Sequence, residues 1–341
     1  MNKRIMVIIL TVPLALNIFS AECFSGTSST TGAIIMKETV GARQLGMGEA
    51  FTAVADDVNT LAYNPAGLAN LKDIEIGAMH LMGLAGSSSE FVGVSLPLGD
   101  MGKLGVSLTM LNGGKMEINT TADDGSILSN ESKNAQTDTL ITMGLGRDFG
   151  ENLSVGATFK LISSKLVEEY TASSSAVDIG GLYRLIYEDV TEFTVGGSLQ
   201  NFRLGDKLKY QDDSTSDADA DELPRIIRAG AMYLKRFGGY YGDSNSFTVA
   251  ADVLLPNDSS IMANAGFEYI MEAMGVKLAF RGGVKYNYGP SIAAMTGGIG
   301  IAVNSFQFDF GIGPMGSIGS MIRGSFTAKF GSKKETKSEW Y

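Results

Sequence analysis

The 341-residue sequence predicts an all-β fold: a transmembrane antiparallel β-barrel of about fourteen strands with an amino-terminal hatch, or plug, inside it. Three observations carry this. From residue 74 onward apolar residues recur at every second position, which sorts them onto one face of a strand and would scatter them around a helix. The alternating stretches run to about ten residues or more, the length a tilted strand needs to cross a bilayer. Hydrophobic residues make up 44% of the chain and charged residues 19%, yet the body holds no apolar run of the roughly 18 residues that a membrane helix needs.

In chain order, residues 1–23 read as an export signal whose cleavage bond falls between 21 and 25. Lys3 and Arg4 supply the positive region, Ile5 to Phe19 the apolar one, and Ser20, Ala21, Cys23 and Ser25 the small residues. Cys23 leaves with the signal, because Glu22 stands where a lipidated cysteine needs a small neighbour. Residues 24–73 form the hatch; from 33 on they do not alternate. Asp56 or Asp57 caps a short helix over Val58–Tyr63, and Pro65 stops it. A compact plug suits a barrel this wide, which would otherwise leave an open channel.

Residues 74–330 form the barrel, with strands near 74–82, 89–97, 102–111, 138–149, 152–164, 175–186, 191–201, 225–236, 245–255, 261–271, 275–286, 293–303, 305–313 and 319–330. In 246–255, for example, Phe247, Val249, Ala251, Val253 and Leu255 share one face; Ser246, Thr248, Ala250 and Asp252 take the other. A small, polar or charged second face fits a wet lumen, and Tyr183, Tyr233, Tyr286 and Phe330 stand where an interfacial aromatic girdle lies. Tight connections at 99–101, 150–151, 187–190, 272–274 and 304 alternate with long polar ones at 112–137, 167–174 and 202–224, as periplasmic turns alternate with outer loops. Residues 331–341, rich in Glu and Lys, read as a periplasmic tail.

Composition excludes several functions. A net charge of −10 without a basic cluster argues against nucleic acid. One cysteine rules out a disulfide framework and a Cys-rich zinc site, and one histidine rules out a His-x-x-x-His metal site. No cofactor and no catalysis are expected. His80 falls within the first strand with no visible nucleophile, so packing explains it. Gly46 and Gly48 lack the third glycine, the preceding strand and the lysine of a nucleotide loop. The acidic run from Asp212 to Glu222 lacks the glycine and spacing of a calcium loop and reads as a solvated outer loop.

The segment Gly41-Ala42-Arg43-x-Leu45-Gly46-Met47-Gly48, then Ala53-Val54-Ala55-Asp56-Asp57 and Tyr63-Asn64-Pro65-Ala66-Gly67-Leu68, resembles the start of the PorV/PorQ family of outer-membrane proteins, relatives of the FadL transporters of hydrophobic compounds. Ser198-Leu199-Gln200-Asn201 and Leu223-Pro224-Arg225 resemble further stretches of that family. The resemblance implies a fourteen-stranded barrel in the outer membrane of a diderm bacterium, a hatch, and a path for small hydrophobic ligands that opens sideways through the wall. For PorV-type members it implies instead a type IX secretion or scaffold role that docks a protein partner. The expected partners are therefore outer-membrane lipid, a small hydrophobic ligand and a secretion-machinery protein. The matching positions give Gly41, Arg43, Gly46, Gly48, Asp56, Asp57, Asn64, Pro65 and Ala66 as candidate hatch and gate residues. Strand parity sends Lys160, Asp178, Arg184, Arg228, Asp252, Lys277, Arg281, Asp309 and Arg323 to the lumen. They read as a balanced, solvated wall or, alternatively, as a site for an anionic head group. Arg43 is expected to pair with Asp178, Asp252 or Asp309, and asparagine at position 64 to satisfy buried backbone groups.

Overall fold

The computed structural model describes residues 31–121, 127–188, 190–210, 220–238, 244–288, 291–314 and 319–331. The expected export signal, residues 24–30, the aspartates at 212, 213, 217 and 219, and the expected tail beyond 331 lie outside these. The strands are β1 (Ile74–Met82), β2 (Ser88–Pro97), β3 (Lys103–Asn112), β4 (Lys115–Thr121), β5 (Ile127–Asn134), β6 (Gln136–Phe149), β7 (Leu153–Leu166) and β8 (Tyr170–Tyr187). They continue as β9 (Thr191–Arg203), β10 (Ile226–Gly238), β11 (Ser244–Pro256), β12 (Met262–Ala273), β13 (Val276–Tyr288), β14 (Ser291–Val303), β15 (Phe306–Pro314) and β16 (Ser320–Phe330). All but β4 and β5 make one closed antiparallel barrel, sealed where Ile74 of β1 meets Phe330 of β16. Closure leaves no unpaired edge, the condition for a sheet to stand in hydrocarbon.

The period-two pattern resolves into an apolar outside. Phe280, Ile299, Phe308, Phe310, Ile312 and Ile322 are each about half exposed, and neighbouring strands repeat this around the wall. A continuous belt of this kind would be intolerable in water and is covered by lipid tails in a membrane. Tyr183, Tyr233, Tyr286 and Phe330 belong to this exposed set. The inward set is buried and polar, as in β7, where Ser154, Thr158, Lys160 and Ser164 are all nearly inaccessible.

Two connections differ from expectation. Residues 112–137 are not an unstructured loop but carry the separate hairpin β4–β5, paired from Lys115–Asn134 to Thr121–Ile127. Residues 167–174 shrink to the turn 167–169, because β7 and β8 continue their pairing as far as Leu166 and Tyr170. The hairpin rests on this turn: Asn134 donates its backbone N–H to Glu168 at 3.0 Å, and Lys133 pairs with Glu169. We call the end carrying β4–β5 and the connection 204–225 the loop end, and the opposite one the turn end.

Residues 33–71 are almost wholly buried and touch inward faces from around the barrel. The helix α1 (Ala42–Gly46) lies against β13 to β16, the 3-10 turn Val58–Ala62 against β1, β2, β3 and β6, and the 3-10 turn Pro65–Asn70 against β3, β6, β7 and β8. The chain thus enters at the loop end, where Thr31 bridges Glu222 in a parallel pairing, and leaves at the turn end to begin β1. A core of Met47, Phe51, Val54, Val58, Leu61, Tyr63 and Leu68 joins this inner segment to Met79, Phe91, Met232 and Ala250 of the wall.

Candidate functional site: the inner segment and its two cavities

The inner segment has little regular structure, so side chains must satisfy its backbone. Gly41, at φ +90°, turns the chain into α1, and Gly48, at φ +64°, turns it out again. Asp57 caps the next 3-10 turn, accepting from Asn59 N at 2.9 Å. That turn ends at Ala62, and Pro65 does not merely stop it: Pro65 occupies the first position of a second turn, where a missing N–H costs nothing. Asn64 caps this turn, its Oδ1 accepting from Ala66 N at 3.2 Å. Its Nδ2 donates to Thr52 O at 2.8 Å and to Gly181 O of β8 at 3.1 Å, tying two parts of the segment to the wall.

Charge fixes the segment on the opposite side. Arg43 does not choose Asp178, Asp252 or Asp309. It donates from Nε and Nη2 to both oxygens of Glu268, each at 2.8 Å, and pairs with Asp56 at 2.6 Å and Asp57 at 3.3 Å. The three expected partners are engaged elsewhere. Asp309 takes Arg281 at 2.7 Å, Asp178 takes Lys160 at 2.6 Å, and Asp252 holds the backbone of the segment. Arg281 also reaches Glu268 at 2.6 Å, so Arg43–Glu268–Arg281–Asp309 is one continuous buried chain of charges. Burial pushes the Asp57 carboxyl up to about 7; Arg43 and Lys329 pull the other way, and Glu75 and Asp56 add to the rise.

Above the segment, toward the loop end, lies a cavity of about 340 Å³. Ile34, Leu81, Ile226, Leu254, Met262 and Met321 make much of its wall, and the cations Arg228, Lys285 and Arg323 face the acids Glu38 and Glu49 across it. Lys285 pairs with Glu49 at 2.5 Å, and Arg323 pairs with Glu38. Nε and Nη1 of Arg323 and Nη1 of Arg228 are buried with no hydrogen-bond partner. Arg228 otherwise donates to Gln200 at 3.0 Å and covers the ring of Tyr63 at 5.2 Å. Below the segment, toward the turn end, a more open cavity of about 810 Å³ has mixed walls: Val54, Met232 and Leu234 beside Lys103, Asp148 and Arg184.

The remaining candidates fall in different places. Gly46 lies against Gly298 and Arg281 of the wall. Arg184 borders the lower cavity, 12% exposed, near Asp148 at 3.6 Å and bonded to Asn70. Lys277 sits at the turn end with its side chain 54% exposed and 3.6 Å from Glu272, because its strand has already left the packed interior there. His80 points outward, its side chain 54% exposed, with Nδ1 2.7 Å from Glu90, so it belongs to a surface hydrogen-bonded pair rather than to packing. Sequence reasoning missed the acids that organise the interior: Glu38, Glu49, Glu75 and Glu268. Strand parity was enough to send Glu75 and Glu268 inward; Glu38 and Glu49 lie in a segment with no period to read.

The architecture is that of a closed, fourteen-stranded transmembrane barrel whose lumen is occupied by its own chain. A family model described as Uncharacterised protein family (UPF0164) matches residues 33–161. No curated protein sequence matches the chain. Among solved structures, the fold is similar to the P. putida toluene transporter TodX, with a TM-score of 0.52 and 12% identity over 87% of this chain and 100% of that one. It is similar as well to the Ralstonia pickettii toluene transporter TbuX, with a TM-score of 0.50 and 12% identity over 86% and 99%. At such identities the likeness is one of fold.

Proposed function

We propose that this protein is an outer-membrane barrel, exported by its amino-terminal signal, that admits small hydrophobic molecules from the loop end and holds them above a movable hatch formed by residues 33–73. The single observation that carries this reading is the loop-end cavity. It is largely apolar, lies directly over the inner segment, and has a volume of about 340 Å³, within the range of a small-ligand pocket. Burial of apolar surface would drive binding with no energy source of its own. The toluene transporters of similar fold support the hydrophobic reading, as does the resemblance to FadL relatives.

A secretion or scaffold role has one observation in its favour. The β4–β5 hairpin exposes Met116, Ile127 and Leu128, the last 67% accessible, at the loop end. No strand-to-strand gap opens the wall for a partner among the described strands, so transport is the stronger reading. Cells making the protein in their outer membrane are expected to take up radiolabelled toluene or the long-chain carboxylate oleate faster than cells lacking it. Equal uptake of both probes by the two kinds of cell overturns the reading.

A further inference from the structure

The two cavities share one wall. Going down the inward face of β10, Ile226 and Arg228 line the upper cavity, and Met232, Leu234 and Arg236 line the lower one. On β11, Leu254 and Pro256 belong to the upper cavity and Thr248 to the lower. Only Gly230, Ala250 and Asp252 lie between, and two of these are the smallest side chains a wall can offer. The inner segment crosses the gap here with Phe51 and Thr52. Glu49, just before them, faces the upper cavity, and Val54, just after, faces the lower.

One carboxylate oxygen holds that crossing to β11, while Asn64 Nδ2 holds Thr52 O from the side of β8. Asp252 Oδ2 accepts from Phe51 N at 3.0 Å, Thr52 N at 2.9 Å and Thr52 Oγ1 at 2.6 Å. Asp252 Oδ1 is buried and has no partner. The arrangement concentrates three donors on one atom, a strong but local attachment. A Cβ built on Gly230 would lie 3.1 Å from Thr52 Cβ and 2.1 Å from Asp252 Oδ1, so the wall leaves no spare room while the turn is seated.

We infer that the passage runs lengthwise along the β10–β11 wall, and that the Phe51–Thr52 turn clasped by Asp252 is its gate. This rests on the transport reading for the identity of what passes, but not for the existence of the gate. Release of the turn joins the two cavities past Gly230 and Ala250 without opening any strand pair. Arg228, with its unpartnered Nη1 on the neighbouring strand, stands ready to take the carboxylate that the turn gives up.

The test replaces the hydrogen-bonded clasp by a reducible one. In a Cys23→Ser background, Asp252→Ala is combined with Thr52→Cys and Gly230→Cys; removing the aspartate clears the space that the new side chain at 230 needs. The 3.1 Å separation of the two Cβ positions lies just under the roughly 3.5–4.5 Å of a disulfide. In planar bilayers, potassium conductance is expected to be at least tenfold greater after reduction than after oxidation. Uptake of toluene or oleate by cells is expected to follow the same pattern. Conductance that is equal in the two redox states overturns the gate, with the reduced protein serving as the control for folding. Redox-dependent conductance without uptake of either probe supports the gate and sinks the hydrophobic-transport reading instead. Uptake that ignores a formed disulfide puts the route through the wall and overturns the inference.

Discussion

Arg43 illustrates what a single buried guanidinium does here. It cannot lose its proton, and it faces Glu268, which is 2% exposed, together with Asp56 and Asp57. Arg43→Met would strip Glu268 of two charge-assisted hydrogen bonds and take from Asp57 its nearest cation. Breaking a buried pair from one side costs about 3–5 kcal/mol, so the variant should unfold at clearly lower denaturant concentration in detergent; an unchanged midpoint would show that the charge chain is not structural. Asp57 makes the same neighbourhood sensitive to pH. Its pKa is raised from the ordinary 3.8 to about 7 in the folded protein, so the folded state holds this proton more tightly than the unfolded chain does. The resulting stability is complete below about pH 4 and fades as pH rises through about 7, at about 1.4 kcal/mol per pH unit of difference. Hydrogen exchange of residues 42–60, corrected for intrinsic rate, is expected to show greater protection at pH 5.5 than at pH 8. Asp57→Asn should flatten the dependence, and a wild-type protein better protected at pH 8 would contradict the assignment.

At the scale of elements, the segment and the wall meet backbone to backbone. A Cβ on Gly266 of β12 would lie 2.1 Å from Met47 O, and one on Gly283 of β13 would lie 2.2 Å from Gly48 N. Neither target can swing aside as a flexible side chain would. Gly197, on the outward phase of β9, has its nearest contact at 3.6 Å. Gly266→Ala should therefore lift α1 and the Met47–Gly48 turn, at about 1–3 kcal/mol, while Gly197→Ala changes nothing. Limited proteolysis checks this: a new cleavage within residues 41–55 is expected for Gly266→Ala alone, in a barrel that still shifts on gels when heated. Identical patterns for the two variants would mean that the segment docks loosely. These elements also show where the sequence stops being legible. All fourteen barrel strands follow from alternation, because a bilayer outside and a polar interior impose the same period on each. The β4–β5 hairpin escapes, since both its faces meet water and alternation there has no apolar partner to report. Arg43 found Glu268 rather than Asp309 for a related reason. Parity tells which face a residue occupies but says nothing of its height, which depends on strand tilt and on where an aperiodic segment comes to rest. The Asp252–Thr52 clasp was hidden for the same cause: the lumen charges could be named, but nothing in their spacing says that one of them holds a backbone turn.

The molecule as a whole is a tube threaded by its own beginning. Residue 31 pairs with Glu222 at one end, and Ile74 opens the first strand at the other, so some forty residues of chain run the length of the interior before the wall starts. The seam is formed by β1, which follows this thread, and β16, the last strand of the barrel. The two sequence-distant strands at that seam close the ring around the thread. A compact domain spliced ahead of residue 31 would have to be carried to the far side of that ring, whereas one spliced behind residue 331 would hang free of it.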